Sequence, residues 1–164
     1  MVDDWEGRDG AISRLWDAIA ARGIGMLGLT NSGLHAQPML AFVERRRKRL
    51  WFVARTDTDL VQSVGAGAPC MFVLQDDGII ASVAGELCLV EDRRRLLRCW
   101  NSKVAAWLPE GPHDRRLTML RMDCVDAEVW ISGVGLTKVA WEIALPGARP
   151  QILEIDGRPH ATVH

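Results

Sequence analysis

Between residues 23 and 90 the chain is cut into short apolar runs by turn signals that leave little room for a parallel crossover. "GIGMLGLT" (23–30) is closed by "NSG" (31–33), where Asn and Gly tolerate positive φ. "LHAQPMLAFV" (34–43) follows, and Pro38 cannot donate to a ladder, which predicts an edge or a bulge there. The charged turn "ERRRKR" leads into a third run, "LWFVA" (50–54). "PCMFVLQ" (69–75) is turned at "DDG" (76–78) into "IIASVAGELCLV" (79–90), which is long enough to cross a barrel wall and predicted to bend or bulge at Gly85. "RLTMLRMDCVDAEVWIS" (116–132) reads as one or two further strands. Many evenly spaced strands with few helices predict a mainly β protein with flanking helices, built on a small antiparallel barrel.

Three helical segments interrupt this pattern. Ile12, Leu15, Trp16 and Ile19 share one helix face, with a stop after Arg22 at Gly23. Residues 56–68 predict a short helix capped by Thr56 or Asp57 and ended by Gly65 or Gly67. Residues 91–108 read as one helix with acids in its first turn. On it Trp100 and Trp107 are one heptad apart and share a face. That face is either ordinary core or one wall of a site for something flat and aromatic. The tail "ILEIDGRPHATVH" (152–164) offers a terminal hairpin turned at Asp156-Gly157.

At 164 residues, without linker, repeat or low-complexity segment, the chain is expected to form one domain, with its core at about 10–145 and a tail at 146–164. A net charge of −1 gives no global electrostatic case for nucleic acid or membrane. The runs "RRRKR" (45–49) and "RRRLLR" (93–98) are read as solvated surface, because neither is interleaved with exposed aromatics. Cys70, Cys88, Cys99 and Cys124 form no C-x-x-C and are expected to be reduced, buried thiols. The N-terminus is acidic and lacks a signal-peptide core, and no apolar run approaches membrane length, so a cytoplasmic protein is expected. His160 and His164 lack the partners of a metal set. No Ser/His/Asp or Cys/His arrangement marks a catalytic group, so any reaction here is expected to draw on a cofactor.

Three segments together resemble the general stress protein branch of the pyridoxamine 5′-phosphate oxidase-like, FMN-binding split-barrel family. They are "GLHAQPML" leading to "LWFVARTDTDLVQSV", then "IIASVAGELCLVEDRRR", then "CWNSKVAAWLPEGPHD" followed by "LTMLRMDCVDAEVWIS". The resemblance implies an antiparallel split barrel that dimerises with itself and holds FMN in a groove between subunits, as an oxidoreductase acting on a small molecule. Gln37, Pro38 and Met39 would run beside the flavin ring, with Trp51, Phe52, Val53 and Ala54 next to them and leading toward the phosphate. Ser82 and the helix from Trp100 to Trp107 would help close the groove from the partner chain. The family commonly has Arg at Gln37, Thr at Ala54 and Lys at Leu60, all serving the flavin's phosphate or polar edge. Their replacement implies a weakened phosphate site in which Arg55 is the compensating cation. The alternative is a split-barrel binding module that has lost FMN and takes another flat ligand, such as haem or a deazaflavin, or none.

Overall fold

A computed structural model describes residues 3–141. The opening helix α1 (Asp3–Ala21) ends as expected at Gly23, whose φ of +68° favours glycine. It lays Leu15, Trp16 and Ile19 into the core, with Ile12 packed at the edge. Six strands then form the barrel: β1 (Ile24–Leu29), β2 (Gln37–Glu44), β3 (Arg49–Arg55), β4 (Ala68–Asp76), β5 (Ile79–Val90) and β6 (Leu117–Ile131). The sheet order is β3-β2-β1-β4-β5-β6, and β3 pairs with β6 to close it. Every pairing is antiparallel, as the short connections require.

The stretch expected as one or two strands forms a single one, β6. One edge of β6 serves β3 through residues 117–123 and then a seventh strand, β7 (Gly135–Ala140), through 126–131. Sequence reading did not identify β7; the turn that leads into it is formed by residues 132–134. Where β6 changes partner, its register on β5 slips, so that Ala84 faces Asp126 and Gly85 faces Cys124. Val125 is the extra residue of this bulge. Gly85 is needed there because a Cβ would lie 2.5 Å from the Asp123 carbonyl oxygen.

Alternating residues of the strands fill the interior. Leu27, Leu50, Phe52, Phe72, Val83, Leu87 and Leu120 are fully buried in one core, with Phe52 and Phe72 in tilted contact at 5.4 Å. A second, smaller core lies on the outer face of β3 and β6, where Trp51, Val53, Leu117 and Met119 are covered by two short helices. These are α3 (Arg93–Cys99) and α4 (Ser102–Trp107); the helix α2 (Asp59–Val64) precedes β4. Burying Leu96 of α3 and Val104 of α4 is worth about 1.5–3 kcal/mol each.

Three expectations are corrected. Residues 91–108 are two helices, because Trp100 (ψ 125°) and Asn101 (ψ −178°) are extended and the Asn101 side chain accepts the Val104 N–H at 3.0 Å. An Asn that caps the next helix competes with continuation of the previous one. Trp100 and Trp107 therefore do not share a helix face. The cap of α2 is Thr58, not Thr56 or Asp57, and its hydroxyl accepts from Val61 N. The second strand begins at Gln37, three residues later than expected. The expected hairpin at Asp156-Gly157 and the pair His160 and His164 lie outside the described residues.

Candidate functional site

The barrel is split between β2 and β3, and Pro38 keeps the far end of the split from closing. Ala41 faces Phe52 in the last rung between these strands, although β2 continues back to Gln37 and β3 onward to Arg55. Ala41 donates its N–H to Gly23 O at 2.7 Å, so the N–H groups of 37, 39 and 41 point toward β1 and those of even-numbered residues toward β3. Continued in register, Pro38 would have to donate to Arg55 O, and it has no N–H to give. Arg55 O instead accepts from Thr58 Oγ1 at 2.9 Å and Thr58 N at 3.4 Å. β3 keeps its other edge on β6 through Arg55.

A groove of about 320 Å³ opens at this split. Its β2 side consists of Gln37, Pro38, Met39, Leu40 and Phe42, and its β3 side of Val53, Ala54 and Arg55. Thr58 and Leu60 close the α2 end, while Val104, Trp107 and Leu108 of α4 and its C-terminus form the opposite wall. The walls are largely apolar, as a site for an aromatic ring needs. Trp107 remains 61% exposed at the rim. Among the described lining residues, Arg55 alone is ionisable.

Arg55 is already engaged. Its Nε and Nη2 donate to the two carboxylate oxygens of Asp57 at 2.9 and 2.6 Å, and Nη1 faces Glu110 at 3.5 Å. Arg116 continues the network to Glu110 and Asp114. The hydrogen bond from Arg55 holds the Asp57 carboxyl below the usual carboxylate range, and Arg116 draws that of Asp114 down to about 2. A fork–fork pair of this kind occupies the guanidinium edge that would otherwise grip an oxyanion.

The structure brings Gln37, Pro38, Met39, Val53, Ala54, Arg55, Leu60 and Trp107 together in one groove. It places the other four candidates elsewhere in this chain. Phe52 has the opposite strand parity and lies inside the barrel. Trp51 is sealed under α3, donating to Glu44 Oε2 at 2.7 Å with the Arg95 guanidinium 3.9 Å above its ring. Trp100 packs against the same outer core. Ser82 sits on β5 directly across from Val73, away from the groove. Sequence reading missed Leu40, Phe42, Thr58, Val104 and Leu108. The period of two along β2 from Pro38 was the available signal for the first pair.

Other chemistry is sparse. Burial pushes all four thiols up, Cys70 to about 12, so none is a ready nucleophile. Among the described residues no cluster of three or more His, Cys, Asp or Glu could hold a metal ion, and no helix is long and apolar enough to cross a membrane. Several of the basic-run arginines have internal partners: Arg45 with Asp17, Arg49 with Asp123, and Arg95 with Glu44.

The chain resembles several solved structures over most of its length. It is 27% identical to the general stress FMN/FAD binding protein of Xanthomonas citri, covering 88% of this chain and 99% of that one with a TM-score of 0.66. A general stress family protein of Xanthomonas campestris pv. campestris is 30% identical over the same shares, at a TM-score of 0.67. A structure from Jannaschia sp. CCS1, named for general stress protein 26, is 29% identical over 76% of this chain and 80% of its own, also at 0.67. Among curated proteins the chain has no match. Residues 10–149 match the family model described as pyridoxamine 5′-phosphate oxidase like. With its split barrel and this match, the chain belongs to the pyridoxamine 5′-phosphate oxidase-like family.

Proposed function

We propose that the chain is a homodimeric flavin-binding protein that holds the ring in the β2–β3 groove and serves redox chemistry on a small molecule. The observation that carries this reading is the split itself. The parted strands, kept apart at Pro38 and Arg55, leave a largely apolar slot at the position the resemblance gives for the flavin ring. The X. citri relative, whose printed description is FMN/FAD binding, supports the same assignment. A flavin held there supplies the electron transfer, and the protein supplies orientation and exclusion of water. Pro38, Leu40 and Phe42 offer one wall and Trp107 a second aromatic surface, while Gln37 presents a neutral amide to the ring's polar edge. No acid or base is assigned, since Arg55 is the one ionisable group in the lining and it is paired.

Self-association is supported by the outer face of the barrel. Ile24, Met26, Met71, Val73, Ile80 and Trp130 are each 36–48% exposed. Met26 lies directly across from Val73, and Ile80 from Trp130, so these side chains form one apolar surface across β1, β4, β5 and β6. Pro38, directly across from Met26, belongs both to this surface and to the groove. A second copy seated on it would bring a partner surface to the open side of the groove. Ser82, within the same surface, would then face the partner.

The test is a visible spectrum of the purified protein, a flavin titration followed by fluorescence quenching, and sedimentation. Saturable quenching by a flavin and a dimer mass are expected. A monomer that quenches no flavin would contradict the proposal. The second reading, a module that has lost FMN, is favoured by one observation, the pairing of Arg55 with Asp57, and a protein ignoring every flavin would leave it standing.

A further inference from the structure

We propose that the groove recognises the flavin ring and turns away its terminal phosphate, so that its ligand is a riboflavin-class flavin, and that Asp57 determines this choice by occupying Arg55. The inference rests on the reading of the groove as a flavin site.

The residues present fit a planar ring and do not fit a phosphate dianion. The Nε–Nη2 edge of the Arg55 guanidinium is spent on Asp57 at 2.9 and 2.6 Å, and its Nη1 faces Glu110 at 3.5 Å. Around it Arg55, Arg116, Asp57, Glu110 and Asp114 set three carboxylates against two guanidiniums, and Arg93 donates to the Asp114 and Arg115 carbonyls beside them. Asp59 adds another carboxylate in the first turn of α2. A phosphate monoester carries a charge of about −1.5 to −2 at neutral pH. To take the Nε–Nη2 edge it must displace Asp57 from Arg55, and at the remaining N–H groups it meets the carboxylates of Asp57 and Glu110.

No other lining residue replaces the missing cation. Leu60 is 1% exposed and apolar, and Ala54 offers a methyl. The Thr58 hydroxyl donates to Arg55 O and accepts from Val61 N, so the α2 cap is already satisfied. Gln37, whose amide faces the ring's polar edge, has no charge to give a phosphate. A polyol end suits this mouth, and a dianion does not.

Titrations of the intact protein with riboflavin and with FMN, followed by flavin fluorescence at low and moderate salt, test the inference. Riboflavin is expected to bind about ten-fold more tightly than FMN, a factor in the range of one charge-assisted interaction lost. FMN binding is expected to tighten as added salt screens the repulsion, with riboflavin nearly indifferent to salt. Asp57→Asn frees Arg55 and is expected to raise the FMN-to-riboflavin affinity ratio by roughly ten-fold. FMN binding as tightly as riboflavin, and weakening with salt, would overturn the inference while leaving the flavin site intact. Failure of both flavins to bind would overturn the site and the inference together. The salt dependence needs only the unaltered chain, so the outcome stands even where Asp57→Asn fails to fold.

Discussion

Pro38 and Arg55 stand where the register of β2 on β3 would make them partners, yet no rung joins them. The last rung is Ala41 with Phe52, and the Arg55 carbonyl is taken by Thr58. The strands have already parted at Leu40 and Val53, and at the far end a residue without an N–H and a Thr that satisfies the facing carbonyl leave nothing to rejoin them. At this end of the groove the backbone groups are satisfied without a β2–β3 rung.

Replacing Pro38 by Thr restores the donor on the open edge and removes a flat wall. Flavin affinity is expected to fall several-fold, while the loss of proline stiffness costs about 0.4–1 kcal/mol. Flavin titration and urea unfolding of the variant check both parts. Unchanged affinity would show that the wall at Pro38 does not contact the ring.

The break between α3 and α4 is held by the Asn101 cap on Val104 N. Asn101→Ala is expected to cost about 1 kcal/mol of stability and to loosen the wall carrying Trp107. Thermal unfolding measures the first effect, and the Trp emission maximum on flavin addition reports the second. A variant as stable as the parent would mean that the cap carries no energy.

Val73→Arg places a charge in the centre of the apolar surface, directly across from Met26. Since Val73 is 40% exposed, the chain should still fold, and sedimentation should shift from dimer to monomer. Flavin affinity should fall with it if the second copy completes the groove. A dimer that persists would place the self-contact elsewhere.

The Asp114 carboxyl, drawn from 3.8 to about 2 by Arg116, ties the network at the groove mouth. Its folded value is depressed, so the stability it contributes is present above 3.8 and is lost as pH falls toward 2. Asp114→Asn should therefore lower the unfolding temperature at pH 5 and converge with the parent near pH 2. Curves that stay parallel across that range would contradict the assignment.

Much of this architecture is legible in the residues themselves. Alternation and turn chemistry place the strands, Gly23 ends α1, Gly85 marks the bulge, and Pro38 marks the open edge. The groove is only half legible. Positions 37–39, 53–55, 60 and 107 converge, but Phe52 and Trp51 do not, because strand parity sends one inward and α3 covers the other. The helix break at Trp100 was hidden because residues on both sides favour helix, and only the Asn101 side-chain bond decides against it. The Arg55–Asp57 pair was hidden for a related reason. Both charges are visible in sequence, but only the turn after β3 aims one at the other.

The most direct test of the account is the position of a bound flavin, by diffraction from the protein crystallised with riboflavin. The ring is expected between β2 and α4, against Pro38, Leu40 and Trp107, with the Arg55–Asp57 pair unbroken. A ring bound anywhere else, or no ring at saturating riboflavin, would contradict it.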